Sequence, residues 1–242
     1  TVKKNLLALT ALLLGPLASL HVSAASATTP PKAFGPVPTD RQMRWHELEL
    51  YAFVHFTVNT FTDREWGFGD ENPAIFNPTA FDADQIAAAA KAGGMKGLIF
   101  VAKHHDGLCL WPTKSTPHNI SATPYKNGKG DMVKEMAEAC KKAGLKFAVY
   151  VSPWDRNHAE YGSPGYVTTF HQQIDEVTTQ YGPIFEMWFD GANGGDGYYG
   201  GKGGRHQIDQ NTYYRWKEVH AIIRKNQPDC AIWGGNYNEG GI

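Results

Sequence analysis

An excess of charge of either sign is missing from this sequence. Over 242 residues, 23 Lys and Arg stand against 24 Asp and Glu, a formal net charge of −1. That balance gives no basic footprint for nucleic acid and no polybasic patch for a membrane surface. Cysteine is scarce. Cys109, Cys140 and Cys230 are odd in number and lack metal-like spacing. Each lies on an expected helix or beside apolar residues, so buried free thiols are expected, with one disulfide as the alternative in an exported chain. No Gly-x-Gly-x-x-Gly follows a strand to open a helix and no Walker-type loop occurs, which argues against a nucleotide-binding doubly wound sheet. The longest apolar run, 6–20, is short for a membrane span and is interrupted by Gly15-Pro16. What the chain has is apolar bulk: 42% apolar and 12% aromatic residues, too much for a disordered chain.

The N-terminus has three parts. Lys3 and Lys4 precede the apolar run, and Ala25-Ser26-Ala27 fits a small-residue cleavage pattern. A secretory signal peptide over 1–27 is expected, with export to the periplasm or the medium; a buried N-terminal helix is the alternative. Pro30, Pro31, Pro36 and Pro38 mark an extended linker over 28–40, leaving the main domain over 41–242.

That domain alternates strand and helix. Apolar, β-rich runs at 51–56, 97–102, 146–151, 183–189 and 230–233 predict five strands. Between them, Asp82 with Gln85 predicts a helix to Gly93. Asp131 predicts another, with Val133, Met136, Ala137 and Cys140 on one face and Gly144 as its stop. A third spans roughly 166–181. A fourth starts at Asp209 or Asn211 and stops at Pro228. The repeated helix–Gly–strand unit at 91–96 and 142–146 points to a parallel sheet, and continuous apolar strands agree, because parallel strands are buried on both faces. The fold expected is α/β, a (β/α) TIM-like barrel.

Active sites of such barrels lie at the C-terminal ends of the strands. There the sequence places His55, then Lys103-His104-His105-Asp106-Gly107, then Tyr150, Ser152, Trp154 and Asp155, then Trp188-Phe189-Asp190-Gly191. A lone His or Asp at such a place is more often a hydrogen-bonded structural residue; four strand ends in succession point to a site. Trp66, Trp111, Trp154 and Trp188 offer flat faces to a sugar ring, and His and carboxylate groups suit its hydroxyls. Packing is the alternative for these tryptophans and the expectation for Trp45 and Trp216. A metal at His104-His105 would require the strand to have ended, because neighbours on a strand point to opposite faces. Asp190, after an apolar strand, fits a glycosidase nucleophile or a loop cap. The stretch 191–204, eight glycines in fourteen positions, is expected to be irregular: a mobile loop over the site or a linker-like insertion.

These motifs resemble the α-L-fucosidases of glycoside hydrolase family 29 over about 41–229. The resemblance rests on His55-Phe56-x-x-Asn59-Thr60-Phe61, Glu65-Trp66-Gly67, Lys103-His104-His105-Asp106-Gly107, Leu110-Trp111-Pro112-Thr113-Lys114, Ser152-Pro153-Trp154-Asp155-Arg156-Asn157 and Trp188-Phe189-Asp190-Gly191-Ala192-Asn193-Gly194. It implies an exo-acting retaining glycosidase of terminal fucosyl linkages, in the style of the α-1,3/1,4 subgroup, with no cofactor and no metal. The implied partners are fucosylated oligosaccharides or glycoconjugates, with no nucleic acid and no membrane after signal cleavage. Asp190 matches the nucleophile. His55, Glu65, Trp66, His104, His105 and Trp188 match positions that hold fucose, and Tyr150 and Trp154 fall near a further sugar contact. Asn238-Glu239-x-Gly241 is compatible with the acid/base motif, which makes Glu239 the candidate; Glu65 and Glu186 are poorer ones. A carbohydrate-binding barrel without turnover and a metal-assisted barrel hydrolase are the competing readings. A full barrel has eight strands and about 250 residues. Five strands are therefore read as a barrel truncated after about the fifth strand, with weak activity and poor stability.

Overall fold

A computed structural model describes residues 29–234, so the expected signal peptide and Glu239 lie outside the described residues. Residues 29–37, a separate unit, are exposed and without helix or strand. The second unit opens with helix α1, Asp40–His46. Its Thr39 hydroxyl accepts from the Gln42 N–H while the Gln42 side chain accepts from the Thr39 N–H, a reciprocal cap that satisfies two otherwise orphaned donors.

Strand β1, Tyr51–Val54, leads to a single helical turn, α2, Asn59–Thr62. Helix α3, Ala83–Ala92, precedes β2, Gly97–Lys103; α4, Met132–Ala143, precedes β3, Lys146–Val151; and α5, Pro164–Gln180, precedes β4, Ile184–Trp188. A short ribbon follows, β5 (Gly194–Asp196) with β6 (Arg205–Gln207), then α6, Trp216–Asn226, and β7, Ala231–Trp233. Strands β1, β2, β3, β4 and β7 lie side by side in that order, all parallel. They form five neighbouring strands of the expected (β/α) barrel.

Both faces of the sheet are covered. Leu98, Phe100, Ala102, Val149 and Val151 join the large core beneath the helices. Ile99, Val101, Ala148 and Tyr150 point the other way, into a smaller cluster with Tyr51, Phe53, Phe185 and Trp188. This two-sided burial is why the strands read as unbroken apolar runs. The alanine-rich α3 packs beside the amphipathic α4, which lies over β2 and β3. Asp131 caps α4 through the Lys134 N–H, and Gly144 ends it in the left-handed region, as expected. The three cysteines are buried and free. Among the described residues, no helix is long and apolar enough to cross a membrane.

Three local expectations are corrected. The last strand-connecting helix does not start at Asp209 or Asn211. Asp209 does cap, accepting from the Asn211 N–H and the Thr212 hydroxyl, but only a turn. Arg215 then takes a left-handed conformation, and the helix begins at Trp216. The glycine-rich stretch is not wholly irregular: Gly194, Gly195 and Asp196 pair antiparallel with Gln207, His206 and Arg205. Trp111 is no sugar platform. It is fully buried on the helix side of the sheet, its indole N–H donating to Glu176.

Candidate active site

The strand ends meet. His55 follows β1 directly, and His104 and His105 follow β2, whose last residue is Lys103. Because the strand has ended, both imidazoles turn to one side, with ring centres 4.2 Å apart. Tyr150 sits in β3, Ser152 and Trp154 just beyond it, and Trp188 closes β4. Ring contacts run through the group: Phe53 stacks on His55 at 4.7 Å, His104 lies parallel to Tyr150 at 5.7 Å, and His105 leans on Trp154 at 5.3 Å. Trp66 stands edge-on to both His105 and Trp154. Phe53 meets Trp188, which stacks on Trp233 at 3.8 Å.

Asp190 lies two residues past β4, with its side chain 53% exposed. The Tyr150 hydroxyl donates to its Oδ2 at 3.2 Å, and His105 Nε2 is 3.9 Å from the same oxygen. Gly191, at φ +76°, lets the chain turn away there; a Cβ would strike the His105 ring. Glu65 lines a cavity of about 420 Å³ with His55, Asn59, Arg64 and His104. Trp66 is 49% exposed beside it. The structure thus brings His55, Glu65, Trp66, His104, His105, Tyr150, Trp154, Trp188 and Asp190 to one end of the sheet.

Burial sets the charge states of the floor. His104 is pushed down to about 3, first by desolvation and then by its His105 and His55 neighbours. His105 is pushed down to about 3 by desolvation, aided by the Arg156 and Lys103 cations. Burial also lowers His55, against the pull of Asp190. The Tyr150 phenol is raised strongly by burial and by Asp190. These rings are neutral hydrogen-bonding groups near neutral pH, suited to hydroxyls rather than to ionic ligands. Asp106, fully buried beneath them, is raised to about 7 by desolvation. Among the described residues, no group of three His, Cys, Asp or Glu side chains could hold a metal ion.

Several supporting residues were not among the expected site residues, although the quoted motifs contain them. Ser152 bonds His105 Nδ1 at 2.7 Å, and Asn59 bridges Asp106 and His104. Arg156 reaches across the site: one guanidinium nitrogen donates to the Gly67 carbonyl, the others to the Asp196 carbonyl (2.9 Å) and carboxylate (3.0 Å). It joins the Trp66 loop to the glycine-rich ribbon. That ribbon packs Gly195 near Trp154, whose N–H donates to Tyr199. Glu186, mid-strand in β4, is distant from this end; it is buried and accepts from the Trp45 indole N–H at 2.8 Å.

Comparison with known proteins places this geometry in a family. The alpha-L-fucosidase family model matches residues 31–238. Alpha-L-fucosidase 1 of Arabidopsis thaliana is 42% identical over 199 residues, covering 82% of this chain and 37% of the plant protein. The crystal structure of a glycoside hydrolase 29 family member from an unknown rumen bacterium is 56% identical, with a TM-score of 0.81, covering 83% of this chain and 36% of that one. The chain therefore spans little more than a third of the length of the relatives it matches.

Proposed function

The chain belongs to the alpha-L-fucosidase family of glycoside hydrolases, and from that membership we propose that it serves the hydrolysis of terminal α-L-fucosyl linkages, of α-1,3/1,4 type, in fucosylated oligosaccharides or glycoconjugates outside the cytoplasm. The observation that carries this reading is Asp190: an exposed carboxylate two residues past a buried strand, bonded by a tyrosine hydroxyl and facing the neutral His105 ring, around which the Trp66 and Trp154 indoles pack. A cluster of that kind suits a polyol ring with an apolar side.

The proposed reaction retains configuration. An Asp190 oxygen attacks the anomeric carbon as the bond to the leaving oxygen breaks, and a carboxylic acid gives that oxygen its proton. Water then attacks the glycosyl ester, losing its proton to the same carboxylate and freeing Asp190. Glu239 is proposed as that acid and base. The retaining geometry requires its carboxyl about 5–5.5 Å from Asp190. The Tyr150 hydroxyl holds the attacking carboxylate, and the His55, Glu65, Trp66, His104, His105, Trp154 and Trp188 surfaces hold the sugar.

Incubation with a fluorinated fucosyl substrate should leave a covalent adduct on the peptide containing Asp190, visible by mass spectrometry. Turnover of fucosides without any adduct would overturn the nucleophile assignment. Asp190→Ala should lower turnover by several orders of magnitude. Glu239→Ala should slow substrates with poor leaving groups most and recover with azide. Binding of fucose with no turnover by the unaltered chain would favour a purely carbohydrate-binding role.

A further inference from the structure

The two adjacent histidines share a burial, a charge state and a neighbourhood, yet their hydrogen-bond partners differ in kind. His105 Nδ1 lies 2.7 Å from the Ser152 hydroxyl oxygen. That oxygen also lies 2.7 Å from the Trp154 carbonyl and 3.4 Å from the Asp190 carbonyl. A hydroxyl has one proton, and a carbonyl can only accept. The short contact to Trp154 therefore uses the serine proton, and the equally short contact to His105 needs a proton on Nδ1. The ring is neutral, so Nε2 is bare. This bare nitrogen faces Asp190, 3.9 Å from its Oδ2.

His104 is held from the other side. Its Nδ1 is 3.3 Å from the Asn59 amide nitrogen, which also donates to Asp106 Oδ2 at 3.0 Å. Asp106 Oδ1 meanwhile accepts the Leu108 N–H. An amide nitrogen carries two protons and accepts none, so His104 Nδ1 is the acceptor and Nε2 holds the hydrogen. Turning the Asn59 amide over would set its oxygen against the Asp106 carboxylate. Any bond the oxygen then took from His104 Nδ1 would only replace the present one, while the amide nitrogen would enter the buried site now filled by Asn59 Oδ1, which has no partner.

We propose that His104 and His105 are fixed in opposite tautomers, Ser152 and the Asn59–Asp106 pair being the positioning residues, so that the floor presents one donor and one obligate acceptor to two hydroxyls of a sugar ring. The sugar-binding part rests on the fucoside-processing reading above; the tautomer part does not. Ser152 selects an orientation of the ligand: a hydroxyl at His105 must donate, which leaves its lone pairs for other donors. A hydroxyl at His104 must accept. An ether or a fluorine in place of the hydroxyl at His105 removes the only group that nitrogen can bind.

The test uses nitrogen-15-labelled histidine in the full chain at pH 8, where Asp106 is ionised. Long-range proton–nitrogen spectra should show His105 protonated on Nδ1 and His104 on Nε2. Ser152→Ala should abolish the Nδ1 preference of His105 alone and weaken L-fucose binding about tenfold. Ser152→Thr, which keeps the hydroxyl, should keep the wild-type tautomer and guards against a folding artefact. The same tautomer on both rings, or a His105 signal indifferent to Ser152→Ala, overturns the proposal. If the tautomers are as assigned but the unaltered chain binds no L-fucose by titration, the sugar-binding part and the functional reading both fall, and the tautomer assignment alone is upheld.

Discussion

Glu186 and Trp45 show how much of a residue's role is set by where along the strand it falls, since Glu186 shares a face of β4 with Trp188. Burial raises the Glu186 carboxyl to about 7, partly offset by the Trp45 N–H, while the unfolded chain ionises near 4.5. Between those values the folded state holds a proton that the unfolded state does not. This contribution to stability is therefore fully present below about 4.5 and lost as pH rises to about 7. Glu186→Gln keeps an acceptor for Trp45 and removes the titration. Relative to the unaltered chain, its stability should rise across that window by at most about 1.4 kcal/mol per pH unit and be level above it, as followed by urea unfolding at a series of pH values. His104 and His105, lowered to about 3, act with the opposite slope, which is why the difference between variants is the quantity to measure. Residue type was legible in the sequence and residue side was not. Trp111 and Trp154 both follow strand-end motifs, yet Trp111 bonds Glu176 in the core while Trp154 backs the His105 ring. Ser152 and Asn59 stood in the motifs without a role because their effect is exerted through other side chains.

Loops do not announce their partners, and here one arginine joins two of them. Arg156 meets Gly67 and Asp196, 89 and 40 residues away in sequence. Its guanidinium also lies over the Phe68 and Trp154 rings. The loop is drawn tight from below: the Glu71 carboxylate accepts the Phe68 and Gly69 N–H groups, and Gly69, at φ +90°, comes close enough to the Arg156 backbone that no side chain would fit. A lysine cannot make the forked contact. Arg156→Lys should cost about 1–3 kcal/mol of stability. It should also open 191–207 to limited proteolysis and, on the proposed function, raise KM for fucosides more than it lowers kcat, since the Trp66 loop loses its anchor. Unchanged proteolysis of that segment would show that the ribbon is held by other contacts. The strands were legible because two-sided burial writes itself as apolar runs. The ribbon was not, because its strands are held by backbone pairing that glycine leaves no side-chain trace of. The start of α6 was hidden by a genuine cap, Asp209, that serves a turn instead.

Across the whole molecule, β2, the segment after β3 and helix α5 are pinned together at one buried point. Lys103 donates to Asp155 (3.2 Å), Tyr166 (3.0 Å) and Gln173 (2.8 Å) with no exposure to solvent. Burial works against the Asp155 charge, but Lys103 with the His158 side chain and N–H outweighs it and holds the carboxyl below its ordinary range. Lys103→Met leaves that charge alone and should cost roughly 3–5 kcal/mol. Lys103→Met with Asp155→Leu should cost less than the two changes added, as thermal unfolding of all four proteins would reveal. Additive losses would mean that the pair is not coupled. The barrel was legible as alternation and as a set of strand ends, while this buried pin was not, since Lys103 read as one strand-end residue among several and its partners lie 52 to 70 residues away in sequence. The stacked Trp188 and Trp233 rings, 3.8 Å apart and 14° from parallel, join the last two parallel strands, β4 and β7. Two indoles that close share their excited state. The folded chain therefore carries its own optical signature of that seam, an exciton couplet in the far-ultraviolet circular dichroism. Trp233→Phe should remove this pair's share of the couplet and leave that of the edge-on Trp66 and Trp154 pair, and in the unaltered chain the share should vanish during unfolding at the moment β7 leaves β4.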